Sequence, residues 1–174
     1  MEQIIREIME LIADAMRKRI VGQGHNLTGR LANSVEYTVE KNGDYITGLM
    51  YIEDYGVFVN VGVSASRIPY GKGGGNRGGT SKYIQGLIEF WEHRGLTGRE
   101  AIGAAFATAK VHARDGMPSR SSSRFSDSGE RTGFVKEAVS GISGQIEENI
   151  ASKFGKTLTL QFSELFNTEK IRIA

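Results

Sequence analysis

An α+β fold is predicted by three patterns in the chain. Apolar residues recur at helical spacing near the N-terminus and again over 81–114 and 134–154; a period-two alternation over 35–52 is interrupted by Asn42-Gly43; and a second short alternation occupies 157–162. Together they describe a small antiparallel sheet, a hairpin plus a C-terminal strand, packed against amphipathic helices and joined by long Gly-rich and Ser/Arg-rich loops. The 174 residues suffice for a single domain with a hydrophobic core and are too few for two. Apolar residues make up only 39% while glycines number 23, so much of the backbone goes into turns and the core is modest. A chain with so little to bury often gains stability by packing against copies of itself.

From Glu2 to Arg19, Ile4, Ile5, Ile8, Leu11, Ile12, Ala15 and Met16 form one stripe opposite Arg6, Glu7, Glu10, Asp14 and Lys18. This is an amphipathic helix, and Gly22 and Gly24 mark its end. Val35, Tyr37 and Val39 then alternate with charged and polar residues, and Asn42-Gly43 turns the chain into an aromatic and β-branched run from Tyr45 to Ile52: a β-hairpin. The run Tyr55 to Val63 fits either a third strand or a short helical turn, and its apolar density predicts burial.

Residues 64–80 carry many glycines, Arg67, Lys72 and Arg77, and no acid, with Lys82 just beyond; this should be a mobile cationic loop. A helical hairpin follows over 81–114. Its first helix is capped by Thr80 or Ser81 and carries Tyr83, Ile84, Leu87, Ile88 and Trp91; its second opens on a Thr97-x-x-Glu100 capping box and bears Ile102, Ala105, Phe106, Ala109 and Val111. The small residues of the second helix suit close helix packing better than DNA recognition. Residues 115–131 form a second polar loop in which Phe125 is the one aromatic residue and a natural anchor. A long helix from Phe134 should end near Phe154-Gly155, before the strand Thr157 to Phe162. No internal repeat is present.

Chemistry-bearing motifs fail on spacing. Lys72 precedes its glycines, whereas a phosphate loop needs Lys followed at once by Ser or Thr; Gly73, Gly75 and Gly78 have no βαβ unit around them. His25, His93 and His112 are far apart and none has a carboxylate at ligand spacing. Glu53 and Asp54 are adjacent and would point to opposite faces of a strand, and His112-Ala113-Arg114-Asp115 stands without the other kinase elements. Without cysteine, thiolate catalysis and disulfides are excluded. The expectation is a non-enzyme with no catalytic, cofactor or metal residues. The net charge of +2 makes any polyanion contact local, and charge interrupts every apolar stretch before it could span a bilayer, so a soluble intracellular product without a membrane partner is expected.

The segment Leu27-Thr28-Gly29-Arg30-Leu31-Ala32-Asn33-Ser34-Val35 after the first helix is similar to T-G-x-L-x-x-S-[IV] leading into a strand; Tyr55 to Gly62 resembles Y-x-x-[YF]-V-x-x-G; Gly86 to Gly95 resembles L-x-x-W-x-x-x-[RK]-G with the Trp one place later, followed by an Ala-rich helix and the turn Gly116-Met117-Pro118. In this order the motifs resemble the neck proteins of tailed bacteriophages, in the head-tail joining and tail-completion (tail terminator-like) family. The serine-arginine run after Pro118 and the length of the glycine loop depart from that pattern. The resemblance implies a structural virion protein: a ring of copies of this chain in the neck, joining the portal or head-completion assembly to the tail, assembled in the host cytoplasm. It further implies that Arg67, Lys72, Arg77 and Lys82 contact a neighbouring ring or, without sequence preference, the DNA in the channel. The alternative is a sequence-independent nucleic-acid-binding module that uses the two basic loops outside any virion.

Overall fold

A computed structural model describes residues 1–70 and 81–170, the backbone alone over 157–170. The elements run α1 (Glu2–Gly22), α2 (Arg30–Asn33), β1 (Glu36–Asn42), β2 (Tyr45–Tyr51), α3 (Tyr55–Val61), α4 (Lys82–Glu92), α5 (Gly98–Asp115) and α6 (Phe134–Lys170), with 3-10 turns at Ala65–Arg67 and Arg120–Phe125. The fold is α+β, and the described residues are predominantly helical with one two-stranded sheet.

The stripe on α1 does what its spacing requires. Ile4, Ile8, Met9, Ala13, Met16 and Ile20 are buried, and α6 runs antiparallel along the helix, with Arg19 facing Glu137 near one end and Glu7 paired to Lys153 near the other. The central cluster joins Ala13, Met16 and Ile20 of α1 to Leu31, Ala32, Val35, Phe134 and Ala138. The hairpin closes over the same helix. β1 and β2 pair antiparallel with Tyr37 opposite Met50 and Val39 opposite Gly48, and these residues occupy the less exposed face. Gly48 lies under Met9, where a Cβ would collide with the Met9 sulfur, so α1 crosses the sheet at the position without a side chain.

The helical hairpin is a separate packing unit. Ala101, Ala105 and Ala109 are fully buried at i, i+4 spacing on α5, which brings α4 close; Trp91 Nε1 donates to Thr108 Oγ1 at 2.9 Å across the pair. Ser81 caps α4 as expected, accepting from the Ile84 amide at 3.3 Å. At α5 the expected capping box does not form at the Thr97 side chain; the Thr97 carbonyl receives the Glu100 amide at 3.1 Å instead. The unit is tied to the rest of the chain by a two-way bridge between Val63 and Met117, with N to O distances of 2.7 and 2.8 Å. Gly116 makes that bridge possible: its φ is +84°, and a Cβ there would stand 2.6 Å from the Val63 carbonyl oxygen.

Two expectations are corrected, for 157–162 and for Tyr55–Val61. Residues 157–162 are helical, so the sheet has no C-terminal strand and α6 does not end near Gly155. Extending a helix already formed fixes one residue per hydrogen bond gained, whereas a lone six-residue strand needs a partner strand to satisfy its backbone; Gly155 costs the running helix only about 1 kcal/mol. Tyr55–Val61 is a short helix, ended by Gly62 at φ +80°, and instead of being buried it exposes Val57, Phe58 and Val61. The polar loop at 115–131 is ordered in part by the 3-10 turn Arg120–Phe125.

Phe134 is fully buried where α6 begins, in the cluster that holds α1, α2 and the strand entry together. Phe134→Ala is expected to lower the free energy of unfolding by about 3–5 kcal/mol, read from the denaturant midpoint at unchanged slope.

Candidate functional site

The four basic residues singled out in the sequence do not form a site in the described chain. Arg67 closes the 3-10 turn after Val63, and Lys82 opens α4; both are exposed and they flank the stretch 71–80. Lys72 and Arg77 lie outside the described residues.

A different cationic cluster is built by the second polar loop. The 3-10 turn presents the Phe125 ring, 46% exposed, between two guanidinium groups: Arg124 at 4.8 Å and Arg94, from the end of the α4 segment, at 5.5 Å from the ring centre. Arg94 also lies 4.8 Å from the centre of the Phe90 ring. Such guanidinium–ring contacts fix the planes of otherwise floppy side chains. Behind them Arg131 is half-buried. Its Nη1 donates to the Ser122 carbonyl at 3.3 Å and its Nη2 to the Gly24 carbonyl at 3.4 Å, and burial followed by the charge of Arg94 pushes its pKa down. No carboxylate contributes to holding its charge. Three guanidinium groups thus gather at the junction of α1, α4 and the Ser/Arg loop.

His25 locks this junction. Its Nε2 donates to the Arg131 carbonyl at 3.0 Å, which leaves Nδ1 as the acceptor facing Arg131 Nη2 at 3.3 Å, and this pairing selects the neutral tautomer. Burial pushes the His25 pKa below 6.5; the Arg131 carbonyl opposes this, and the Arg131 charge adds to it. Gln23 continues the clamp, donating from Nε2 to the Thr132 carbonyl at 2.9 Å although the residue is only 1% exposed. Gly24, at φ +75°, lets the chain pass directly under the Phe125 carbonyl, which any Cβ would strike. The loop is therefore anchored by its backbone rather than by burial of the Phe125 ring.

Elsewhere the side chains pair off. Arg30 Nη2 meets Glu53 at 2.8 Å and the Glu53 amide donates to Ser34 Oγ at 3.1 Å, so Glu53 is a structural tie, while Asp54 precedes α3 without a side-chain capping hydrogen bond. His112 Nδ1 lies 2.8 Å from Tyr83 Oη, its pKa lowered by burial. A cleft of about 290 Å³ between α1, α6 and the 127–128 turn is lined by Lys18, Arg19, Gln23, Asp127 and Glu137, charges of both signs without a nucleophile–base pair. Among the described residues no three His, Asp or Glu side chains converge as metal ligands, and no helix is long and apolar enough to cross a membrane.

Comparison with protein-family models, with curated proteins and with solved structures finds no match.

The depressed pKa values of His25 and His112 set a pH dependence. The unfolded chain binds protons on these residues near pH 6.5 while the folded one resists until lower pH, so their contribution to stability is full above 6.5 and is lost as the pH falls below it. Unfolding free energies measured at pH 7.5 and pH 5 should show this decline, and His25→Gln should make it shallower by removing one of the two groups.

Proposed function

We propose that the protein is a structural component of the head-tail connector of a tailed bacteriophage, forming a ring of identical subunits in the neck between the portal or head-completion assembly and the tail. The order of sequence motifs suggests the family, and one structural observation supports the assembly. Val57, Phe58 and Val61 of α3 are 58%, 62% and 72% exposed on one short helix, an apolar patch of the kind that a neighbouring subunit covers. Two open sheet edges and a helix that outruns its partner belong to the same picture: a protomer shaped to be completed by neighbours.

A second function, sequence-independent nucleic-acid binding, is supported by the cluster of Arg94, Arg124 and Arg131 around Phe125, which would meet phosphates without reading bases.

Light scattering of the purified protein, alone and with its portal or tail partner, is expected to give the mass of a closed ring. A persistent monomer in both conditions overturns the connector proposal. The second function predicts instead a monomer whose affinity for duplex DNA falls steeply with salt, and a loss of that binding in Arg94→Ala with Arg124→Ala.

A further inference from the structure

We propose that His25 is a proton-operated latch on the Ser/Arg turn: neutral, it seats the Arg131 side chain and closes the turn Arg120–Phe125 against the end of α1, and a proton on Nδ1 ejects Arg131 and opens that turn while the rest of the fold stays in place. The latch is a property of the loop and does not depend on either function proposed above.

Arg131 is the pin. Its Nη1 reaches the Ser122 carbonyl inside the turn and its Nη2 the Gly24 carbonyl just beyond α1, so one side chain bridges the two segments. Both contacts, at 3.3 and 3.4 Å, are long for a charged donor. Its Nε is buried without a hydrogen-bond partner among the described residues, and no carboxylate contributes to holding its charge. A guanidinium seated this way is poorly compensated for the water it has lost. Its remaining contact is the lone pair of His25 Nδ1, 3.3 Å from Nη2.

A proton on Nδ1 turns that acceptor into a donor and sets a second positive charge against the guanidinium. The ring cannot turn away at no cost, because Nε2 is committed to the Arg131 carbonyl at 3.0 Å. Around the junction α1 supplies Arg19, the end of α4 Arg94, and the loop Arg124, Asp127, Glu130 and Arg131. Of these only Arg131 acts on the ring charge, and Arg94 in turn repels Arg131. No carboxylate among them offsets the new charge, so the long Arg131 side chain yields and moves to water.

The opening is confined by ties that do not pass through the Arg131 side chain. Gln23 Nε2 still holds the Thr132 carbonyl at 2.9 Å, and the Asp127 amide still meets the Gly22 carbonyl at 2.8 Å. Between Ser119 and Asp127 the turn is closed by the Ser122 and Ser126 amides, each 3.0 Å from the carbonyl three residues back. A 3-10 turn has poor hydrogen-bond geometry and holds only while tied from outside. Phe125 moves with it, so the proton also disperses the guanidinium groups of Arg94 and Arg124 from the ring.

Amide exchange followed by NMR at pH 7.5 and pH 5, expressed as protection factors so that the intrinsic pH dependence divides out, tests the latch. The Ser122 and Ser126 amides are expected to lose protection about tenfold or more at pH 5, as hydrogen bonds from a charged donor are given up, and to do so without responding to low denaturant. Ala13 and Met16 in α1 should instead exchange through unfolding of the whole chain and respond to it. His112→Gln is expected to keep the acid loss at the turn, and His25→Gln to abolish it. Should His25→Gln loosen the turn at both pH values, Arg131→Gln decides: with the guanidinium charge gone, the His25 ring titration moves up toward 6.5. Unchanged protection of Ser122 and Ser126 in acid, a loss that follows denaturant as α1 does, an acid loss that survives His25→Gln, or a His25 titration unmoved by Arg131→Gln each overturns the latch.

Discussion

The antiparallel seam between α1 and α6 is the interaction on which the rest depends. Alpha-helix α1 meets α6 on one side, the hairpin on another and α2 at its end, so the buried faces of three elements converge on one stripe of Ile, Met and Ala side chains. Phe134 and Ala138 bring the second half of the chain to that stripe. Without them the long helix would have no face to bury, and the sheet, too small for independent stability, would lose the surface it covers.

The core so built is small. Of the sixteen apolar residues buried in the described chain, six are alanines, which contribute little area each. Polar ties compensate for limited burial by fixing geometry. Gln23 and His25 hold the 131–132 backbone, Arg131 holds the Gly24 carbonyl and the Ser/Arg turn, and the Val63–Met117 bridge holds the helical hairpin. Several ties are charged or half-buried, so the arrangement is sensitive to the protonation of a histidine as well as to packing. The same clamp that anchors the loop gathers its guanidinium groups around Phe125, which links local stability to the most cationic feature of the described surface.

The apolar surface of this chain is unevenly distributed. Single exposed apolar residues are ordinary, but three on a helix of two turns, whose inner face packs on the core through Gly56 and Val59, are not. An α6 that outlasts α1 has the same character: its backbone is regular, yet the stretch past α1 gains nothing from that seam.

Local sequence sufficed where periodicity was sustained or a turn had its own chemistry. The stripe on α1, the Asn42-Gly43 hairpin and the Ser81 cap follow from spacing, because a repeated face or a required backbone conformation leaves few alternatives, whereas on α5 Ala101, Ala105 and Ala109 are buried and the larger Ile102 and Phe106 are exposed. Short apolar runs did not carry their own answer. Tyr55 to Val61 and 157–162 satisfy more than one period over so few residues, and their state was decided by Gly62 and by a helix already under way from Phe134. The cationic site was equally hidden, since Arg94, Phe125, Arg131 and His25 are separated by up to a hundred residues and nothing local marks them as neighbours; a lone Phe among arginines was the one available signal. The sequence by itself determined which segments are helical or paired, because that depends on near neighbours along the chain. Which apolar faces are buried and which stay exposed was decided only in the tertiary structure, where α1 has room for a limited number of elements.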